Sequence, residues 1–288
     1  MKNYRFIHIV VVGVFLVLLE QLSGLNTVSA LSLNGPPRSI LQPEQNSFAV
    51  ELGYSQMDLE SYGEVKQTFN SIPLDPQYGK YNIDKIKSIT PSVRFDTNIT
   101  ENWDIFLRLG ATDASSDISE ENAGGYSSAQ LKDFDGDFGF SYGIGTRTTF
   151  YEQDNTTWGA TFQANWINPG ESDITDSTDI NFSGTAELKY WEIQIAVGPT
   201  VNFDNYVRVY GGPFLQFIKG SLDINGSTID INTSLPMTLN AETDIREKTQ
   251  LGGFIGAQWN LGNNSTLITE AQFTGDAVGA GISMAWKF

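Results

Sequence analysis

The sequence predicts an all-β protein, a closed antiparallel up-and-down transmembrane β-barrel of about ten strands. Three observations predict it. From Ser47 to the last residue the hydrophobic pattern has a period of two, the links between alternating segments are by turns short and long, and the 288-residue chain ends inside an alternating segment, on Phe288. After residue 46 there is no long run of convincing 3.6-residue periodicity, so helices are not the building unit.

The first element is a targeting segment. Lys2 and Arg5 form a basic head, residues 9–19 an apolar run, and Val28-Ser29-Ala30 a small-residue cleavage site, the three parts of an export signal cut after Ala30. A retained anchor is the weaker alternative, because Glu20 stops the apolar run well short of the roughly 20 residues that a spanning helix needs. Removing Lys2, Arg5 and Glu20 takes the 17 basic and 34 acidic residues to 15 and 33, and the net charge from −17 to −18. His8, the one histidine, leaves with the signal. Residues 1–30 are thus expected to be a cleaved signal peptide. Residues 31–46, with Pro36, Pro37 and Pro43, read as a periplasmic linker.

Residues 47–288 form the barrel domain. Alternation is clearest from Trp158 to Trp166, where Trp158, Ala160, Phe162, Ala164 and Trp166 share one face and Gly159, Thr161, Gln163 and Asn165 the other. Phe48, Val50, Leu52 and Tyr54 alternate likewise with Ala49, Glu51, Gly53 and Ser55. Segments of this kind lie at about 47–59, 84–97, 102–114, 134–150, 156–168, 186–202, 205–219, 246–261, 265–275 and 277–288. Links near 97–101, 151–155, 202–205 and 262–264 carry tight-turn residues, whereas 60–83, 115–133, 169–185 and 220–245 are long and mostly acidic. Tight turns at one rim and long loops at the other are the pattern of a bacterial transmembrane barrel. Pro91, Pro199 and Pro213 fall inside the proposed strands, where each forfeits a ladder hydrogen bond, so eight or twelve strands stay open as alternatives to ten.

A soluble sandwich or lipocalin-like barrel is the competing architecture, with its apolar face inward. Two features oppose it. Trp158 and Trp166 lie on one face about 19 Å apart along the barrel axis, close to the spacing of two aromatic girdles around an apolar band of ~25 Å. Trp103, Tyr206, Trp259 and Trp286 suit the turn-side girdle; Tyr54, Trp191 and Phe217 suit the loop side. The other feature is the terminal strand, in which Ile282, Met284, Trp286 and Phe288 alternate with small or polar residues.

On those residues the chain resembles the small outer-membrane β-barrel proteins of Gram-negative bacteria, broadly the OmpA/OmpW-like and porin-like barrels. The resemblance covers about 47–288. It implies location in the cell outer membrane, with outer-membrane lipid around the barrel. It also implies that periplasmic chaperones and the outer-membrane insertion machinery handle the chain, Ile282, Met284, Trp286 and Phe288 being the candidate insertion signal. It implies no particular reaction, because the group shares architecture without sharing chemistry.

By parity, the inward face carries Glu51, Arg94, Asp96, Asp104, Arg108, Asp137, Arg147, Glu192, Arg208, Glu270 and Lys287. Of these, Glu51, Arg94, Arg108, Glu192, Arg208 and Glu270 are the candidates for a lumen charge network. Either they pair with one another, as buried charges must, or a subset lines a wet passage and sets ion preference. Inward glycines such as Gly143, Gly145, Gly252 and Gly256 favour a passage by leaving room, while Phe106, Tyr210, Phe214 and Phe254 would plug it. Arginine at lipid-facing Phe162 or Ile195 is expected to be damaging, and at inward Gln163 or Gln194 to cost little.

Composition removes several functions. The acidic excess excludes a nucleic-acid binder, and the absence of Cys excludes disulfide scaffolds and Cys-ligated zinc. With no histidine in the mature chain, the known His-dependent outer-membrane hydrolases and acyltransferases have no base. No enzyme, cofactor or metal site is expected, although Asp133, Asp135 and Asp137 have a faint likeness to a calcium loop. Acidic residues of the long links, among them Glu171, Asp173, Asp230, Glu242 and Asp244, would face the exterior and favour cations at the mouth. Two functions remain: a narrow, cation-preferring, porin-like channel for ions or small polar solutes, and a non-conducting structural or surface-interaction barrel. The pattern sets no oligomeric state.

Overall fold

The computed structural model describes residues 32–120, 130–136, 138–176, 182–204, 206–229, 234–262 and 264–288. The expected signal peptide, Asp137 and Asp230 lie outside them. The described residues form fourteen strands in one antiparallel sheet: β1 (Asn46–Phe69), β2 (Ile72–Pro73), β3 (Gln77–Thr100), β4 (Trp103–Glu120), β5 (Gln130–Asp135), β6 (Gly139–Gln153), β7 (Thr156–Ile167), β8 (Glu171–Asp176), β9 (Phe182–Asn202), β10 (Val207–Ile229), β11 (Pro236–Glu247), β12 (Leu251–Gly262), β13 (Ser265–Thr274) and β14 (Ala277–Lys287). Ten of them close a ring in the order β1-β3-β4-β6-β7-β9-β10-β12-β13-β14 and back to β1. The ring closes where Ser47 pairs with Lys287 and Met57 with Ala277.

The expected count of ten holds, and the prolines are absorbed locally. Pro91 sits opposite Leu52 and Pro199 opposite Trp158. Pro213 and Pro199 share the stretch where β9–β10 pairing lapses, between Tyr210–Thr200 and Phe214–Ala196, so both missing donors fall in one gap.

Strand length divides the molecule into two storeys. β6, β7, β12, β13 and β14 have 10 to 15 residues, about what a tilted strand needs to cross a bilayer. β1, β3, β4, β9 and β10 have 18 to 24 and continue beyond the loop-side girdle. The long acidic links expected at 60–83, 115–133, 169–185 and 220–245 are therefore largely strand. Above the membrane β11 bridges the upper halves of β1 and β10, while β5 extends the sheet from β4 and β8 from β9.

Each storey has the face pattern its solvent demands. In the lower one Val50, Leu52, Ile89, Leu107, Ile144 and Phe162 point outward and are exposed, whereas the inward residues are polar apart from a few buried rings and small apolar groups such as Phe106, Phe214 and Phe254. In the upper one Leu59, Ile83, Leu188, Leu222, Ile224 and Ile245 are buried in an apolar core. On β3 the change of face is made by a bulge. Met57 pairs with Ile86 but Leu59 with Ile83, and the extra residue puts Lys85 at a φ of 52°, with its N–H donated to Asp58 Oδ1 at 2.8 Å. One inserted residue turns the strand over, so Ile83 and Tyr81 enter the upper core in place of Asp84 and Asn82.

Both girdles are present. Tyr142 stacks on Trp166 at 5.1 Å and meets Trp191 edge-on at 6.0 Å. At the turn-side rim Phe48 lies 5.1 Å from Phe95 and 6.3 Å from Trp286. Trp259 differs from expectation in being almost covered, at 8% exposure. Phe162→Arg, at a lipid-facing site midway along β7, is expected to destabilise the barrel by about 2–4 kcal/mol, measured by urea unfolding in micelles. A cost near zero would mean that this face does not meet lipid.

Candidate functional site

The lower lumen is filled by the chain's own residues in three arrangements. The first is an ion cluster. β1 contributes Glu51, β3 Arg94 and Asp96, β4 Arg108 and β6 Arg147, each at an inward position of its strand. Glu51 is shared by Arg94 Nη1 and by Arg108 Nε, the latter at 2.7 Å. Arg94 Nε lies 3.1 and 3.2 Å from the two oxygens of Asp96. Asp96 also pairs with Arg147 Nη2 and accepts from Ser47 Oγ at 2.9 Å. The three guanidinium groups surround the Phe106 ring, 5.0 to 5.7 Å from its centroid, within the range of cation–π attraction.

The second is a strap. Residues 32–41, within the stretch 31–46 expected as a periplasmic linker, enter the lumen from the turn-side rim, and Leu33, Asn34, Ile40 and Leu41 are buried there. Three carboxylates grip it in succession. Asp104 accepts from Ser39 Oγ at 2.8 Å and from Ile40 N at 2.6 Å. Glu270 takes the N–H of Asn34 on one oxygen and of Gly35 on the other, at 2.8 and 2.9 Å. Glu192 accepts from Ser32 Oγ at 2.7 Å. Strap carbonyls are held too: Leu33 O by Arg108 Nη2 at 2.9 Å and Ile40 O by Lys287 Nζ at 2.5 Å. An extended segment has backbone groups that must be satisfied once out of water, and the lumen acids and amides supply the partners.

The third is the set of inward glycines. A Cβ on Gly145 would collide with the Phe106 ring, one on Gly252 with Phe214, and one on Gly256 with Tyr210. Gly281 and Gly159 make the same kind of room for Leu33 and Pro37 of the strap. The glycines expected to leave a passage are the slots into which the plugging residues fit.

The six candidates for a lumen network are thus sorted. Glu51, Arg94 and Arg108 come together. Glu192 and Glu270 face inward and are fully buried, but among the described residues no cation lies at salt-bridge distance from either, and they hold the strap instead. Arg208 is apart, near the turn-side rim, donating to Asn202 Oδ1 at 2.6 Å. Asp96 and Arg147 are central to the cluster, and the inward parity had already marked them. Gln163 departs from expectation: fully buried, it donates to Ser32 O, Asn34 Oδ1 and Gln194 Oε1 and accepts from Arg108, so arginine there would be costly. Ile282 and Trp286 are exposed on the outer wall of β14, alternating with its inward residues, and Phe288, one residue past the strand, is exposed as well.

Outside the membrane the outer wall of the upper storey carries a row of acids. Glu64, Glu242, Asp223, Glu187 and Glu171 stand directly opposite one another on β1, β11, β10, β9 and β8. Such a row of like charges is unfavourable, and it is relieved in part by Lys66, 3.0 Å from Glu64, and Lys189, 2.7 Å from Glu187. The hydrogen bond to Glu64 raises the Lys66 ammonium above the usual lysine range.

The family model described as outer membrane protein β-barrel domain matches residues 124–285. No curated protein matches the chain. Among solved structures it is similar to the outer membrane protease OmpT of Escherichia coli, at 8% identity and a TM-score of 0.47 over 89% of this chain and 99% of that one. It is also similar to OprG of Pseudomonas aeruginosa, at 9% identity and 0.40 over 87% and 99%. With the toluene transporter TbuX of Ralstonia pickettii the values are 9% and 0.38 over 92% and 95%.

Proposed function

The chain belongs to the outer membrane protein β-barrel domain family, and we propose that in the outer membrane it is a non-conducting barrel that carries a sealed β-structured head on the cell exterior, for surface interaction or envelope structure. The observation that carries this reading is the strap: residues 32–41 occupy the axis that a solute would use, held at Asp104, Glu270 and Glu192. Glu51, Arg94, Asp96, Arg108 and Arg147 are paired with one another, and Asp104, Glu192 and Glu270 are committed to the strap. Above them the apolar core of the upper storey closes the axis again. The cavity between strap tip and core is about 40 Å³, room for only a few water-sized groups.

The narrow cation-preferring channel expected from the sequence has less support. It needs charges that line water, and Glu51, Asp96, Arg94 and Arg147 are almost wholly covered. The acidic outer wall of the head attracts cationic groups, which suits recognition at the surface rather than passage. Assembly by the outer-membrane insertion machinery through Ile282, Met284, Trp286 and Phe288 belongs to the same proposal. The refolded protein in planar bilayers is expected to insert without discrete open levels. Reproducible unitary steps with cation-selective reversal would overturn the reading in favour of a channel.

A further inference from the structure

We propose that the turn-side mouth of the lumen is a binding site for a doubly charged phosphate group, built between strap and wall from Arg38, Arg147, Arg208, Gln258 and Lys287. The inference goes beyond the sealed-barrel reading and shares with it only the strap's place in the lumen.

Four cations from four elements meet there. Arg38 is on the strap, Arg147 on β6, Arg208 on β10 and Lys287 at the end of β14. The charged groups facing Arg38 are Arg208, Asp104, Glu152 and Arg147, and those facing Lys287 are Arg38, Arg208, Asp104 and Arg147. Like charges gathered out of bulk water repel strongly. Among the described residues the ion pairs of the lumen are those of Glu51 with Arg94 and Arg108 and of Asp96 with Arg94 and Arg147, so Arg38, Arg208 and Lys287 have no carboxylate at salt-bridge distance. Asp104, the buried acid that faces them, already accepts from Ser39 Oγ, Ile40 N and Asn98 Nδ2, and Glu152 is exposed to solvent. Three unpaired cations against Asp104 leave two positive charges.

Hydrogen-bond donors are left over at the same place. Arg38 Nε and the Nε and Nη1 of Arg147 are buried without a partner. Gln258 is 1% exposed and neither of its side-chain polar atoms is bonded. It stands directly opposite Arg208 across the β10–β12 ladder, where Cβ atoms are about 4.5–5.5 Å apart. Thr161, opposite Arg147 on β7, is likewise buried with its hydroxyl unpaired. Buried donors without partners are rare in folded proteins. A phosphate group near neutral pH carries close to two negative charges and several strong acceptor oxygens, so one ligand meets both the charge and the donors, through charge-assisted bonds of the kind that arginine favours. Arg38 is on the strap and the other groups are on the wall, so the bound anion also clamps one to the other.

The test is equilibrium dialysis of labelled inorganic phosphate against the whole protein in uncharged micelles, at a fixed ionic strength of about 0.1 M in chloride. One phosphate per chain is expected to bind with a Kd of about 1 mM or tighter. No saturable binding overturns the proposal. A barrel silent in planar bilayers that binds no phosphate loses the site and keeps the sealed reading, whereas one with open levels that binds phosphate loses the sealed reading and keeps the site. Arg38→Gln, Arg208→Gln and Lys287→Gln should each weaken binding about tenfold or more, the loss of one charge-assisted contact. Arg246→Gln, exposed on the outer wall of the head, should not. Unchanged affinity in the first three, or an equal loss in Arg246→Gln, would mean diffuse attraction and overturn the site. Glycerol 3-phosphate, with one oxygen capped, separates the sources: affinity within about threefold of inorganic phosphate assigns a phosphomonoester such as a headgroup, and weaker binding assigns the free ion. If the variants do not refold, the native protein decides. Phosphate should slow tryptic cleavage after Arg38 about threefold or more against chloride at equal ionic strength, because a ligand held by the seated strap depopulates the released one; unchanged cleavage overturns the proposal.

Discussion

Asp96→Ala is expected to lower the unfolding free energy by about 3–5 kcal/mol, because it strands a buried cation. Arg147 is fully buried, and Asp96 is the carboxylate it pairs with. Arg94 would keep Glu51, but Arg147 would keep only the face of Phe106, 5.0 Å from its ring centroid, and cation–π attraction is worth about 2 kcal/mol at a desolvated site, less than the desolvation cost of the ion. The sign reverses if the cation goes too. In an Asp96→Ala, Arg147→Met double variant neither charge remains uncompensated, and most of the loss should be recovered, since buried ion pairs replaced by apolar groups are often neutral or better. Urea unfolding in micelles measures both. A double variant no more stable than Asp96→Ala would show that Arg147 is not held by this pairing. Arg108→Ala should also cost stability, by freeing one side of Glu51 and the Leu33 carbonyl together.

How much of this was legible in the sequence depends on the solvent each residue meets. The lower storey was read nearly whole, because lipid outside and polar lumen inside impose strict alternation: Phe48, Val50, Leu52 and Tyr54 against Ala49, Glu51, Gly53 and Ser55 give both the strand and its faces. Reading stopped where the outer solvent changes from lipid to water. β1 continues to Phe69, but its apolar residues move from even positions ending at Tyr54 to odd ones at Met57 and Leu59, and a pattern that slips phase looks like a strand that ends. On β3 the proposed start at 84 fell on the bulge around Lys85, where the chain turns over. Inward parity marks the charge set, but parity says only which wall a residue faces. That Glu51 meets two arginines while Glu192 and Glu270 meet the strap depends on height along the axis and on a segment with no periodicity at all. In the strap, Pro36 and Pro37 signalled an extended chain without a helix or strand. Nothing local to residues 32–41 announces that their backbone will be taken up by acids 63 to 236 positions away.

The second large effect lies where the sequence was silent. Leu222→Asp is expected to open the upper storey by more than about 4 kcal/mol while the membrane storey stays folded, since losses this large come from burying an unpaired charge. Leu222 is 1% exposed, with Leu188 opposite it on β9 and Thr243 on β11. Removing the leucine forfeits about 1.5–3 kcal/mol of apolar burial, and a carboxylate at the same place adds the cost of leaving water without a cation. The upper storey has its own core and its own closing strand, β11, so it can open as a unit. The expected reading on intact cells is new cleavage by an external protease within 220–247, at unchanged abundance in the outer membrane and with the girdle tryptophans Trp166 and Trp191 unchanged in fluorescence. Asp223→Leu, one residue along on the outer wall, should leave proteolysis unchanged and slightly favour the head by thinning the row formed with Glu242 and Glu187. Were Asp223→Leu the damaging change and Leu222→Asp harmless, residue 222 would face water, and the long links would be loops after all.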